Sequence, residues 1–415
     1  MGNQQIQTHS IGNGLTVIVE PMADVQSAAF CLLVPAGSNY DPPGQAGAAS
    51  VLCDWILRGA GSRDSRELSN ELDNLGVQRN EGVGNSHMSF TGATLAESLP
   101  AALRLYADIV QSPHLPDDQF EGARLGVEQS LRAIEDEPRQ KVLVELRRRC
   151  YEAPWGIPSE GTLEGVENLD AAVVRRHFET CAGPRDAILG IAGKVDVAAS
   201  IELVEELFGN WKVKPEPPFT RGPRGPMRDH IPHESTQTQI GIAYDSVPYC
   251  DPDYYAAWAV VGVLSGGMSS RLFTEVREKR GLCYSVFASL NSLRDQGRIL
   301  CYAGTTVERA QETLDVTLQE LMRLGNGISE DELDRCKARA KSSLIMQQES
   351  SSSRASSNAR DWYHLGRVTT LDEVREKIEA LTVDALLAHI ARHPAKDFTI
   401  LTLGPQPLEV NLGVS

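Results

Sequence analysis

The chain repeats its own pattern at an offset of about 212 residues, which is the length of a domain rather than of a short repeat. Residues 92–95 (GATL) fall on residues 304–307 (GTTV), each a strand end followed by a helical pattern. Residues 186–193 likewise fall on residues 397–404, and both are short apolar runs closed by glycine, typical of buried strands. The sequence therefore predicts two similar domains.

A segment rich in proline and glycine separates the two halves. It begins KVKPEPPFTRGPRGP, a composition that disfavours helix and strand and favours an extended connector. We therefore expect domains at residues 1–211 and 233–415, joined by a linker at 212–232. Because strand-like runs and helical patterns cluster separately, each domain is predicted to be α+β, an antiparallel sheet with helices packed on one side. The strand-like runs are residues 15–20, 28–34, 240–244 and 282–290.

Composition narrows the functional classes. A formal net charge of −16 argues against a nucleic-acid surface, and it is compatible either with simple solubility or with a negative cavity that attracts basic peptides. The eight cysteines form no CxxC pair, so reduced thiols are expected. The N-terminal segment has no basic and apolar signal pattern, and the longest apolar run, residues 254–264, is too short to span a bilayer. We expect a cytoplasmic protein with no membrane contact.

Two stretches carry most of the functional information. Residues 44–61 predict a helix with one apolar face, stopped by Gly59, after a strand and a Gly-Ser turn at 35–40. Residues 266–286 predict a glycine turn, a serine cap, a helix ended by Gly281 and then a strand. The second stretch has the form S-S-R-L-F-x-x-x-R-E-x-x-G-L-x-Y.

Both stretches resemble the pitrilysin/insulinase family of zinc peptidases (peptidase family M16). The chain resembles the family's non-zinc-binding subunit that carries an Arg/Tyr pair. It is similar to the beta-type partner of two-chain bacterial zinc peptidases and to mitochondrial processing peptidase subunits. The resemblance covers nearly the whole chain and implies the fold of those proteins, the mitochondrial processing peptidase/LuxS-like metallohydrolase fold with two homologous domains.

The family's inverted zinc motif H-x-x-E-H is replaced in this chain. Aligned on Gly59, Ser50 and Asp54 stand at the two histidine positions and Cys53 at the catalytic glutamate. Ser130 stands at the third ligand position, with Glu128 two residues away on another face. Catalytic zinc needs three histidine, cysteine or carboxylate ligands, so no zinc hydrolysis is expected here. A Cys53–Asp54 metal site is disfavoured because adjacent helical residues do not face one another.

The second-domain signature implies a substrate-binding arginine and tyrosine, which we assign to Arg271 and Tyr284. A guanidinium offers forked donors to a carbonyl, and a phenol can donate to a developing oxyanion. The alternative is structural, with Arg271 in a surface ion pair at the start of the helix and Tyr284 filling a strand. Two histidine pairs, His389 with His393 and His230 with His233, are interpreted as surface residues.

The resemblance implies a shared mechanism. This chain is expected to bind peptide substrates without catalysing hydrolysis itself, in a heterodimer with a subunit that carries H-x-x-E-H and the zinc, although self-association is also open. One alternative is an inactive structural or assembly protein, like the core subunits of respiratory complexes. Another is an autonomous hydrolase with Cys53 as nucleophile, for which the sequence places no base nearby.

Overall fold

The computed structural model describes residues 4–217 and 219–410 and divides the chain into two compact units. The first unit contains the residues up to 133, with residues 157–222 and 346–370. The second contains residues 134–156 and 223–345 and those from 371 onwards. Each unit has one β-sheet with helices, so the predicted α+β class is confirmed.

Eleven strands are present in the described residues. The first sheet is built from β1 (Gln7–Ser10), β2 (Thr16–Pro21), β3 (Ser27–Val34), β4 (Gln78–Val83), β5 (Met88–Leu95) and β6 (Ile188–Gly193). The second sheet is built from β7 (Arg228–Pro232), β8 (Gln237–Ser246), β9 (Cys283–Ser292), β10 (Gly297–Thr306) and β11 (Thr399–Gly404).

The described residues also form fourteen α-helices and one π-helical turn, Phe273–Glu278. The helices are α1 (Ala48–Trp55), α2 (Ser65–Asn74), α3 (Leu99–Gln111), α4 (Asp117–Asp136), α5 (Pro138–Cys150), α6 (Leu163–Glu167), α7 (Ala171–Cys181), α8 (Val197–Phe208), α9 (Tyr254–Ser265), α10 (Ala310–Arg323), α11 (Glu330–Gln348), α12 (Ser351–Leu365), α13 (Leu371–Glu379) and α14 (Val383–Arg392).

The two sheets have the same strand order apart from the extra edge strand β1. The first runs β1-β2-β6-β3-β5-β4 and the second β7-β11-β8-β10-β9. Both are mixed rather than purely antiparallel, because β2 pairs in parallel with β6, and β7 with β11. The last strand of each sheet is entered through a helix, α7 or α14, and such a connection permits the parallel orientation that a tight hairpin excludes.

Helices cover both faces of the first sheet, not one face as expected. The strands β2, β3 and β6 are buried along almost their whole length, which requires cover on both sides. Helix α12 provides the second layer, with Ala355 and Ala359 packed on Ile18, Ala29 and neighbouring residues. The approach is close, since a Cβ added at Gly190 in β6 would lie 2.4 Å from the carbonyl oxygen of Ala355.

Helix α5 likewise covers one face of the second sheet. Its residues Val142 and Leu146 pack on Ala243, Leu300 and Leu401, while the opposite sheet face, which includes Ile242, packs in a separate cluster with α9 and α10. Sequence reasoning placed α5 in the first domain and α12 in the second. The structure exchanges them, because each sheet has an apolar face that a helix from the other half of the chain covers.

The predicted linker is also shorter than expected. Residues 228–232, at its C-terminal end, form strand β7 and pair in parallel with β11. Pro232, which ends this strand, has no N–H to donate to a neighbouring strand. It is tolerated because β7 lies at the edge of the sheet. Pro218 of the predicted linker lies outside the described residues. A search of the described helices for a segment that is long and apolar enough to cross a membrane finds none.

Candidate functional site

Helix α1 carries three of the four positions that the resemblance assigns to the family's zinc site, and the backbone at its start is hydrogen-bonded to the carboxylate of Asp41. Asp41 accepts hydrogen bonds from the backbone N–H of Gly47 at 2.7 Å and of Ala49 at 2.9 Å. These donors lie at the helix start, where N–H groups lack partners within the helix and the helix dipole favours negative charge. Burial nevertheless dominates and raises the pKa of Asp41 to about 7.

Each of the three α1 positions has a contact within the first unit. The Ser50 hydroxyl donates to the carbonyl oxygen of Ser159 at 2.8 Å. The Asp54 carboxylate accepts two hydrogen bonds from the Arg58 guanidinium, at 2.6 and 2.9 Å. Cys53 is 8% exposed, and burial raises the pKa of its thiol to about 12. A buried thiol with a raised pKa is a poor nucleophile at neutral pH.

The fourth position, on α4, is occupied locally as well. The Ser130 hydroxyl donates to the carbonyl oxygen of Gly126, one turn earlier in the same helix, at 3.1 Å. Glu128 is held by Arg124 at 3.4 Å and by Arg132 at 2.7 Å. Two hydroxyls that donate to backbone carbonyls, a buried thiol and a carboxylate paired with arginine do not fit catalytic zinc, which requires three histidine, cysteine or carboxylate ligands and one open position. We therefore derive no catalytic step through a metal ion at α1 and α4.

Arg271 is committed to an internal ion pair in the second unit. Its guanidinium donates to both carboxylate oxygens of Glu332, at 2.7 and 2.9 Å, and to the carbonyl oxygen of Gly327 at 2.7 Å. Glu332 also accepts a hydrogen bond from the backbone N–H of Ser329 at the start of α11. Hydrogen bonding by Arg271 lowers the pKa of Glu332 to about 2. Arg271 therefore fastens the loop before α11, as in the structural alternative.

Tyr284 lies near the start of β9 and is 84% exposed, so it does not fill the sheet interior. The cation beside it is Arg277, whose Cζ lies 5.2 Å from the centroid of the Tyr284 ring and 4.9 Å from that of Phe273. These distances are typical of cation–π contacts. The structure thus brings Arg277, rather than Arg271, to Tyr284.

The π-helical turn explains this arrangement. The backbone N–H of Lys279 donates to the carbonyl oxygen of Thr274, five residues earlier, which widens the turn. Lys279 and Arg280 both pair with Glu275, at 2.7 and 2.8 Å. Arg277 is exposed and has no carboxylate partner among residues 4–217 and 219–410.

Sequence reasoning did not single out Arg277. Arg277 is seven residues before Tyr284, in the last turn before Gly281 ends the helix and leads into β9. Arg271 is almost two turns further back along the chain, and each helical residue adds about 1.5 Å to its distance from the strand. Position alone does not select Arg277 either, because Lys279 and Arg280 lie still nearer to the strand.

The histidine pairs differ from the surface sites that the sequence suggested. His389, in α14, is buried, and its Nδ1 lies 3.3 Å from an Asp253 carboxylate oxygen. His393 is half-buried, and the centroid of its ring lies 5.0 Å from that of the His389 ring. His230 lies in β7, where its Nδ1 is 2.9 Å from the Thr402 hydroxyl.

Family models match both halves of the chain. Residues 16–162 match a model described as Insulinase (Peptidase family M16), and residues 168–340 match one described as Peptidase M16 inactive domain. Among curated proteins, the chain is 25% identical to the uncharacterized zinc protease YmxG of Bacillus subtilis. That alignment spans 405 residues, 96% of this chain and 98% of the relative.

Solved structures show the same fold. A peptidase M16 inactive domain from Pseudomonas fluorescens superposes with a TM-score of 0.89 at 21% identity, over 98% of this chain and 100% of the other. A chain of Complex III2 from Candida albicans superposes with a TM-score of 0.81 at 20% identity, over 97% and 96% of the two chains.

Proposed function

Because the chain belongs to the insulinase family (peptidase family M16), we propose that it is the non-catalytic, substrate-binding subunit of a zinc-dependent peptidase. It acts on peptides together with a partner that carries H-x-x-E-H and the zinc ion. The donor set at α1 and α4 supports a division of labour, since its side chains cannot supply the ligands and the general base that zinc hydrolysis requires.

The observation that carries the proposal is the exposed pair of Arg277 and Tyr284. The Tyr284 hydroxyl and the Arg277 guanidinium make no hydrogen bond to another described residue, so both are available to a ligand. An extended peptide presents carbonyl oxygens that accept hydrogen bonds from both groups. In the proposed complex Tyr284 and Arg277 hold the substrate backbone while the partner's metal centre performs hydrolysis. Arg271 supports the site indirectly through Glu332.

The test is peptidase activity of this chain reconstituted with an H-x-x-E-H subunit encoded by the same genome. Removing a single donor that stabilises developing charge costs about 10²- to 10³-fold in kcat, so Tyr284→Phe should lower kcat/KM by roughly that factor. Arg277→Ala should lower it by a similar or smaller factor. Arg280→Ala removes a cation from the same turn that is already paired with Glu275, and it should retain activity within about two-fold.

Two outcomes decide against the proposal. Full activity of both Tyr284→Phe and Arg277→Ala in the reconstituted complex would exclude a substrate role for the pair. Metal-dependent hydrolysis by the isolated chain, lost on Asp54→Ala, would exclude a non-catalytic first unit.

A second candidate is a structural or assembly role, supported by the shared fold with a chain of Complex III2. It predicts a stable complex with a partner whose assembly survives both substitutions and in which no peptide is cleaved. The exposed tyrosine and arginine favour the peptidase subunit, because a purely structural protein has no need to leave both unpaired.

A further inference from the structure

A second group of potential metal ligands lies in the second unit, on elements other than those that carry Tyr284. Ligand atoms of Asp253, His389 and His393 all lie within 4.8 Å of one another. We propose that these three residues form a binding site for a single divalent transition-metal ion, with Zn²⁺ as the natural probe. The proposal is independent of the peptidase role and departs from the expectation that this chain holds no metal.

Local structure places all three side chains on the same side of a helix pair. His389 lies in the last turn of α14 and His393, four positions later, is its C-terminal cap, and the two rings lie side by side. Their neighbours Leu386 and Ile390 are buried in the core that α14 shares with α9. Asp253 precedes α9, and its carboxylate makes no capping hydrogen bond to that helix, pointing instead to His389.

The distances suit a tetrahedral ion. With metal–ligand bonds of about 2 Å, ligand atoms around Zn²⁺ are about 3.3 Å apart. The His389 Nδ1 and Asp253 Oδ2 atoms are already 3.3 Å apart, which is long for a hydrogen bond but correct for two ligands of one ion. The third ligand atom, on the half-buried His393, lies within 4.8 Å of the other two. Two imidazoles and one carboxylate form a ligand set that Zn²⁺ uses in proteins.

The site has room for a fourth ligand. Both imidazoles line a cavity of about 210 Å³, together with Tyr244 and Ser246. A water molecule occupies about 30 Å³ of liquid volume, so a coordinated water or a small anionic ligand fits beside the ion. The cavity therefore leaves the coordination position that three protein ligands do not fill.

Arg392 is the competitor for the ion. Its guanidinium is bound to the same Asp253 oxygen, through Nε at 3.1 Å and through a second nitrogen. The Arg392 side chain is 56% exposed, so it can rotate into solvent without breaking core packing. Metal binding thus exchanges a mobile monovalent cation for a divalent one on Asp253, and Arg392 sets the affinity by competing.

The test is a titration of the chelator-treated, full-length chain with Zn²⁺ alone at neutral pH, in competition with a chromophoric chelator. We expect one equivalent per chain. His393→Ala and Asp253→Asn should each weaken binding at least ~10-fold, since even loss of an outer-sphere partner costs about 10- to 100-fold. Arg392→Ala should tighten binding several-fold. His9→Ala, which removes a histidine of the first unit, is the matched control and should leave the affinity unchanged.

The outcomes separate cleanly. His393 is half-buried, so circular dichroism of His393→Ala confirms that a loss of binding is not a loss of fold. Absence of one-equivalent binding overturns the proposal, as does binding that His393→Ala leaves intact. Weaker binding in Arg392→Ala would mean that the ion does not sit opposite Asp253, and would also overturn it. None of these results bears on the activity expected from Tyr284.

Discussion

Helix α1 of the first unit and the π-helical turn of the second unit, with Tyr284 beside it, treat their polar side chains in opposite ways. On α1, Ser50 and Asp54 are bound within the unit and the Cys53 thiol is buried. At the π-helical turn, Arg277 and Tyr284 are exposed and contact each other only through the ring face. The first region thus holds the side chains at its zinc-motif positions in hydrogen bonds or in the core, whereas the second leaves Arg277 and Tyr284 exposed.

The difference shows what the side chains at the zinc-motif positions do in this chain. The two hydroxyls are hydrogen-bonded to the backbone and the thiol lies in the core. Ser50 and Ser130 both donate to backbone carbonyls, and such bonds stabilise a fold without chemistry. Arg277 and Tyr284 stack on each other but make no hydrogen bond to another described residue, so their polar atoms are available for the proposed substrate contact.

The largest effect on stability is expected from introducing a charge into α1. Cys53→Glu places a carboxylate at a buried position close to Asp54 and Glu81, whose charges already disfavour an anion there. We expect the free energy of unfolding to fall by about 3 kcal/mol or more, because an unpaired buried charge is poorly compensated. Urea denaturation measures this loss, with Cys53→Ala as the control at about 1 kcal/mol.

The result would also test the comparison itself. If Cys53→Glu costs no more than Cys53→Ala, then α1 still offers a polar, accessible position like the one at the π-helical turn. The contrast between the two regions would then fail.

A smaller effect on stability is expected from breaking the ion pair of Arg271 and Glu332. The pKa of Glu332 is lowered from 4.5 to about 2, so the pair contributes stability above pH 4.5 that is lost as pH falls toward 2. Both side chains are partly exposed, which reduces the contribution to about 2 kcal/mol. Chemical denaturation between pH 6 and pH 2 should show a shallower acid loss for Glu332→Gln than for the unmodified chain.

The same pair sharpens the assignment of the substrate-binding arginine. Arg271→Ala should lower stability by a comparable amount but change kcat/KM of the reconstituted peptidase by less than Arg277→Ala does. The opposite ranking, measured well below the unfolding temperature of both variants, would restore Arg271 as the residue that contacts substrate.

Local signals predicted much of this fold. The apolar runs closed by glycine became β6 and β11, because hydrophobic periodicity acts over a few residues. The helix expected within residues 44–61 became the shorter α1, which begins at Ala48 and ends at Trp55, before Gly59 is reached. The same strand order in both sheets agrees with the repeat. The order of the strands within each sheet was harder to predict, since β6 lies between β2 and β3 although it is far from both in sequence.

Exchange of α5 and α12 could not be predicted from periodicity. An amphipathic helix indicates that it needs an apolar surface, but not which of two similar sheets provides it. In α12 the buried Arg354 pairs with Glu20 of β2 at 3.0 Å, with Asn358 completing the network, and no local pattern connects residues more than 300 positions apart. Arg277 was missed for a related reason, since the π-helical turn that directs it to Tyr284 has no recognised sequence signal.

The smallest effect is expected from modifying the thiols. Cys53 is buried with a raised pKa, whereas Cys250 is exposed and the other six cysteines are buried. Since thiolate is the reactive form, iodoacetamide on the native chain should alkylate Cys250 first, and peptide mapping should find Cys53 unmodified until the chain unfolds. Cys53→Ser should leave the activity of the reconstituted peptidase unchanged, with Cys250→Ser as the labelling control. Rapid, selective alkylation of Cys53 together with loss of activity would revive the nucleophile hypothesis and place chemistry at α1 after all.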